Sequence, residues 1–205
     1  MKKYVLLLFV SLLADVVSAQ QANEYLQARA RQIIEDFQMY LSTIASKTGV
    51  SETNKDIATT SALDLFIGEG KSYEYVDNDG NKRTHEPVKM QILGKNRKYV
   101  PVAQYLETIR NLAYTKVVID TADIVEIDTI MQAENGSYEA IAHYRQRFLG
   151  YRDGRVVYQD VTDQKIKLYC KENASPMCYV FPTPFGTNEV HWRVLLGDIY
   201  VVNGH

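Results

Sequence analysis

After Leu112 the apolar residues change their spacing from the three- and four-residue steps of a helix to alternation, and the alternation persists almost to the end of the chain. This change of period divides the sequence into a helical first part and a β second part. Helices followed by a meander of strands imply an α+β fold, with the helices gathered on one face of an antiparallel sheet. A chain of 205 residues, 46% of them hydrophobic, can bury the core such a fold needs. The helices and the meander are expected to form a single domain over 20–205, because no repeat, low-complexity tract or flexible linker interrupts it.

In the helical part, Leu26, Ala30, Ile33, Phe37, Leu41 and Ile44 form one stripe between Gln21 and about Ser46, and Gly49 ends it. A second helix is expected from Asn54 as N-cap to Gly68, and a third from Pro101 through Val102, Tyr105, Leu106 and Ile109. Between them, Ser72–Val76 and Val88–Leu93 flank the polar tip Asp77-Asn78-Asp79-Gly80-Asn81 and are expected to pair as a hairpin. The β part predicts strands at Lys116–Met131, Tyr138–Tyr151, Val156–Cys170 and Val190–Val202, turning at Asn135-Gly136 and Asp153-Gly154. Alternation places Tyr138, Ala140, Ala142, Tyr144, Gln146 and Phe148 on the face that meets the helices. It also aligns Asp198 with Trp192, Val194 and Leu196.

The N-terminus carries Met1-Lys2-Lys3, an apolar run from Tyr4 to Ala14 and the small-residue pattern Val17-Ser18-Ala19, as a secretory signal peptide does. Cleavage is expected after Ala19, giving an exported protein, periplasmic or secreted, without a membrane anchor. In an oxidising compartment Cys170 and Cys178, separated by a short turn-forming segment, are expected to form a disulfide. With 23 Lys+Arg against 25 Asp+Glu the chain has no overall attraction for phosphate backbones, so nucleic acid is not an expected partner.

Several motifs imitate chemistry without completing it. The four histidines, His85, His143, His191 and His205, have no metal-ligand spacing. Asp77–Asn81 begins like a calcium loop, but Lys82 stands where the sixth-position glycine is needed. Gly70-Lys71-Ser72 ends like a phosphate loop, yet it follows a helix and lacks the earlier glycine. No metal or cofactor is expected. Basic groups at Lys82–Lys98 and at Arg145, Arg147, Arg152 and Arg155 could meet an acidic glycan or anionic surface, or be solvated faces.

The helix Val100–Leu106, the stretches Phe148–Gly154 and Tyr158–Thr162, and the closing strand Trp192–Ile199 together resemble exported NTF2-like proteins of Bacteroidetes-type bacteria, in the superfamily with the cystatin-like fold. The resemblance covers most of the chain after the leader. It implies a cone-shaped sheet wrapped around the long first helix, often with an open pocket and often dimeric. Members of that superfamily include ketosteroid isomerase and scytalone dehydratase as well as proteins that only bind, so fold does not give function. The expected function is therefore a non-catalytic binding or assembly module for a small molecule, glycan or protein, with a homodimer as a further expectation. Pocket residues are expected among Tyr105, Tyr114, Tyr144, Tyr158, Trp192 and Asp198. The alternative is a small lyase or isomerase, with Asp198 as a desolvated base beside a tyrosine. Asp198 follows Gly197, however, and could instead bond backbone amides at a strand bend.

Overall fold

The structure is a computed structural model and describes Glu24 and residues 26–77, 79–92, 98–121, 126–128, 130–132, 138–172 and 192–204. The stripe from Leu26 to Ile44 forms helix α1 (26–45), whose apolar side is buried along its length. Beyond its end, the backbone N–H groups of Lys47 and Thr48 donate to the Thr115 carbonyl at 2.9 and 3.0 Å, tying the helix to the sheet edge. Helix α2 (Glu52–Asp64) starts three residues earlier than expected. Its N-cap is Ser51, whose hydroxyl accepts the Asn54 N–H at 3.1 Å, so Asn54 lies inside the first turn. Helix α3 (Val102–Arg110) follows Pro101 and buries Val102, Leu106 and Ile109.

The strands are β1 (Tyr73–Val76), β2 (Lys82–His85), β3 (Lys89–Ile92), β4 (Lys98–Pro101), β5 (Lys116–Thr121), β6 (Glu126–Ile127), β7 (Met131–Gln132), β8 (Tyr138–Arg152), β9 (Arg155–Glu172) and β10 (Trp192–Gly204). The main sheet runs β4-β3-β10-β9-β8-β5, with β6 and β7 also on β8. All its pairs are antiparallel except β3 with β10. The fold is α+β, as the change of period requires. Asp153 and Gly154 both have positive φ, 52° and 77°, and close the β8–β9 hairpin. The other expected turn, Asn135-Gly136, lies outside the described residues.

The hairpin expectation needs correction, because β1 pairs with β2 and not with the segment after Val88. Asp77 decides this locally: its Oδ1 accepts the N–H groups of Asp79 and Asn81 at 3.1 and 2.8 Å, and its Oδ2 accepts from Arg83 at 2.9 Å. The chain therefore reverses at once, and the freed segment Lys89–Ile92 joins the main sheet beside β10. The calcium-like carboxylate serves its own turn.

The inner face of the sheet and the helices share one buried cluster. Phe37 of α1 meets Phe66 edge to face, with ring centroids 5.0 Å apart, and both are fully buried. The Leu196 N–H donates to the Leu65 carbonyl at 2.8 Å, joining the end of α2 to β10. Burying a side chain of this size contributes roughly 1.5–3 kcal/mol, so the cluster accounts for the pairing of helices and sheet. Among the described residues no helix is long and apolar enough to cross a membrane. Residues 1–19, expected as a leader, lie outside them. Cys170 is buried with a free thiol, which burial pushes up to about 11, and Cys178 lies outside the described residues. No disulfide is formed among the described residues.

Candidate ligand-binding site

Residues paired across β8 and β9 line the inner face of the sheet in rungs of changing character. Ala142 faces Ile166 in the dry core, Tyr144 faces Gln164, Gln146 faces Thr162, and Phe148 faces Asp160. The face thus passes from apolar through neutral polar to an aromatic and acidic rim. Helix α3 lies across the outer rungs with Tyr105, Thr108 and Ile109 toward them, and leaves a cavity of about 310 Å³. That volume suits a small ligand.

The mouth is aromatic. Tyr114 packs edge to face on Phe148 with centroids 5.8 Å apart, and lies near-parallel to Tyr158 at 6.2 Å. Its place depends on Gly150, where a Cβ would stand 2.6 Å from the Tyr114 ring. Beside it, the Tyr158 hydroxyl donates to Asp160 Oδ2 at 3.4 Å. Burial, with the Asp160 carboxylate next in effect, raises the pKa of that phenol.

Deeper in, the polar rungs hold an ordered chain of hydrogen bonds. Tyr144, buried, donates its hydroxyl to Gln164 Oε1 at 2.6 Å, and Gln164 Nε2 donates to Thr162 Oγ1 at 3.2 Å. Burial pushes the Tyr144 phenol far above its ordinary range, so it stays protonated and donates. Burial also lifts the Tyr105 phenol to about 12. Gln146, only 7% exposed, lines the cavity with a carboxamide that has no hydrogen-bond partner among the described residues.

Of the expected pocket residues, Tyr105, Tyr114 and Tyr158 line this cavity, and Tyr144 acts on it through Gln164. Trp192 begins β10 opposite Glu172, and its side chain lies outside the described residues. Asp198 does not line the cavity. Its Oδ1 accepts the Lys89 N–H at 2.7 Å and its Oδ2 accepts the Tyr200 hydroxyl at 3.2 Å, so it fastens β3 to β10. The reason is a register shift between Leu196 and Ile199, which carries Ile199 and Val201 into the core in place of residues in phase with Asp198. A base at Asp198 acting within this cavity is thereby removed. Gln146, Thr162 and Gln164 were missed as site residues. Their signal was a run of polar side chains in phase with apolar ones on neighbouring strands.

The outer face of the sheet carries ion pairs at its centre. Arg145 meets Asp163 at 2.8 Å, Arg147 grips Asp120 with bonds of 3.0 and 2.6 Å, and Lys167 meets Glu139 at 2.7 Å. These neighbours neutralise the centre of the basic group read from the sequence. Among the described residues no cluster of His, Cys, Asp and Glu could hold a metal ion. In comparisons with known proteins, no protein-family model, no curated protein and no solved structure matches this chain.

Proposed function

We propose that this chain is an exported, non-catalytic binding module of the NTF2-like type, and that it takes up a small molecule in the cavity between α3 and the inner face of β8 and β9. The observation that carries the reading is the composition of the cavity wall. Aromatic rings stand at the mouth, neutral hydrogen-bonding groups stand within, and the ionisable groups are tyrosines, of which burial pushes Tyr105 and Tyr158 upward, and one half-exposed carboxylate, Asp160. Acid–base chemistry calls for a group that exchanges a proton near neutral pH, and phenols pushed upward do not. Binding calls for shape, apolar area and a few directed polar groups, and the wall supplies them. The leader-like N-terminus and the helix-then-sheet order support export and the NTF2-like cone.

The test is to fill the cavity. Ile109 is 6% exposed and lies on the cavity wall, so Ile109→Trp places an indole where a ligand would sit. A small-molecule screen by thermal shift on the purified protein is expected to yield binders of the wild type that Ile109→Trp loses while keeping its circular dichroism spectrum. Binders that survive the substitution would move the site elsewhere, and turnover of a bound compound would refute a purely binding role.

A further inference from the structure

We infer that the cavity selects an uncharged molecule whose hydrogen-bond-accepting head, a carbonyl or carboxamide oxygen, meets Gln146 and Thr162, with a body of one or two rings left against Ile109, Phe148 and Tyr114. The inference rests on the binding role proposed above and names the chemistry of the ligand. It follows from the order of protons along the inner face. Tyr144 donates to Gln164 Oε1, which turns the Gln164 amide nitrogen toward Thr162 Oγ1. The Thr162 oxygen is thus an acceptor in that bond, and its own proton has no acceptor among the described residues. Directly across the β8–β9 pairing stands the partnerless carboxamide of Gln146. Thr162 is 5% and Gln146 7% exposed, so their polar atoms have slight access to water, and only through the cavity they line. From α3, the protonated Tyr105 hydroxyl adds a third donor to the same wall.

Two hydroxyl protons and the Nε2 of a carboxamide, which also carries an accepting Oε1, stand on one wall and call for an acceptor. An anionic acceptor is disfavoured, because no Lys, Arg or His lines the described wall and the Asp160 carboxylate stands at its rim. An anion taken out of water there would have no countercharge. A cationic head would find the Asp160 carboxylate only at the rim and would set its own donors against the Thr162 and Tyr105 hydroxyl protons. A neutral oxygen meets neither objection, and the volume of about 310 Å³ limits the body to one or two rings.

The experiment compares four probes that share a phenyl ring: benzamide, toluene, benzoate and benzylammonium. Each is titrated by ligand-detected NMR into the purified wild type and into Gln146→Leu, Thr162→Val and Ile109→Trp, with circular dichroism melts to show that each variant folds. Benzamide is expected to bind about ten-fold tighter than toluene, the value of roughly one well-made neutral hydrogen bond in a dry site. That advantage is expected to fall below about three-fold in Gln146→Leu or Thr162→Val, with toluene binding retained. If Gln146→Leu does not fold, Thr162→Val decides the same question. Equal binding of benzamide and toluene, or preference for benzoate or benzylammonium, with all binding lost in Ile109→Trp, overturns the neutral head and leaves the pocket standing. No binding of any probe up to about 5 mM, or binding that Ile109→Trp leaves intact, overturns the pocket and the head together.

Discussion

The Lys89 N–H stands at the exposed start of β3 and donates to Asp198 Oδ1 at 2.7 Å, a charge-assisted bond at the parallel seam between β3 and β10. That seam has a single register pair, Ile199 with Met90, so a side chain that spans it has unusual weight. Asp198→Ala is expected to lower stability by about 1 kcal/mol, the usual contribution of a half-exposed hydrogen bond to a charged group. It is expected to leave ligand binding unchanged, because Asp198 does not line the cavity. Urea unfolding reads the first and titration of a bound ligand the second. Affinity lost along with unchanged stability would return Asp198 to the site. At this scale the sequence was legible in its parts and misleading in their phase. Strict alternation from Val194 counts Asp198 inward, and a shift of one register step reverses the count for Ile199 and Val201. A bulge of this kind is set by backbone geometry that residue type does not announce.

Helices α2 and α3 are joined on their outer sides by charge. Glu52 Oε1 meets the buried Lys55 at 2.9 Å, Glu52 Oε2 meets Arg110 at 2.6 Å, and Arg110 also reaches Asp56 at 2.7 Å. The Lys55 ammonium first, and the Arg110 guanidinium next, hold the Glu52 carboxyl down to about 2 from 4.5. The sign follows: protonation is harder in the folded state, so the contribution is whole above about pH 4.5 and is lost as pH falls toward 2. An NMR titration of the Glu52 carboxyl is expected to show this low midpoint. Lys55→Met is expected to raise the midpoint more than Arg110→Gln does, and the reverse order would show that Arg110 dominates. These elements illustrate which signals a sequence carries. The stripe of α1 and the apolar side of α3 were plain from spacing, because each buries one face. The start of α2 was not, because its buried residues are Lys55, Ala58 and Ala62, a weak apolar pattern, and its boundary rests on the Ser51 cap. The partner of β1 was hidden for another reason. Pairing with β2 joins residues that alternate too little to mark a strand, Lys82 to His85, and depends on the Asp77 turn.

Among the described residues, one continuous buried cluster serves two purposes along its length. Around Phe37, Phe66 and Leu196 it is dry and closely packed, and toward α3 it opens into a cavity walled by polar rungs. Natural proteins commonly give up stability where a site needs unsatisfied groups ready for a ligand. The two ends of this core should therefore respond oppositely to substitution. Phe37, 1% exposed and set edge to face on Phe66, has neighbours that cannot close over its loss, so Phe37→Ala is expected to cost about 3–5 kcal/mol. Gln146→Leu keeps nearly the same volume and removes a buried carboxamide with no hydrogen-bond partner among the described residues. It is expected to raise the stability of the ligand-free protein by at most about 1 kcal/mol, because the amide has no protein partner among the described residues and reaches water only through the cavity. Denaturant unfolding distinguishes the cases, since a higher midpoint with an unchanged slope reports stability and not a change in the unfolded chain. A Gln146→Leu protein more stable when empty and less selective for an accepting head would show that this amide is kept for the ligand. Loss of stability instead would mean that the amide has a structural partner in solution, bound water included, and that the fold itself holds it in place.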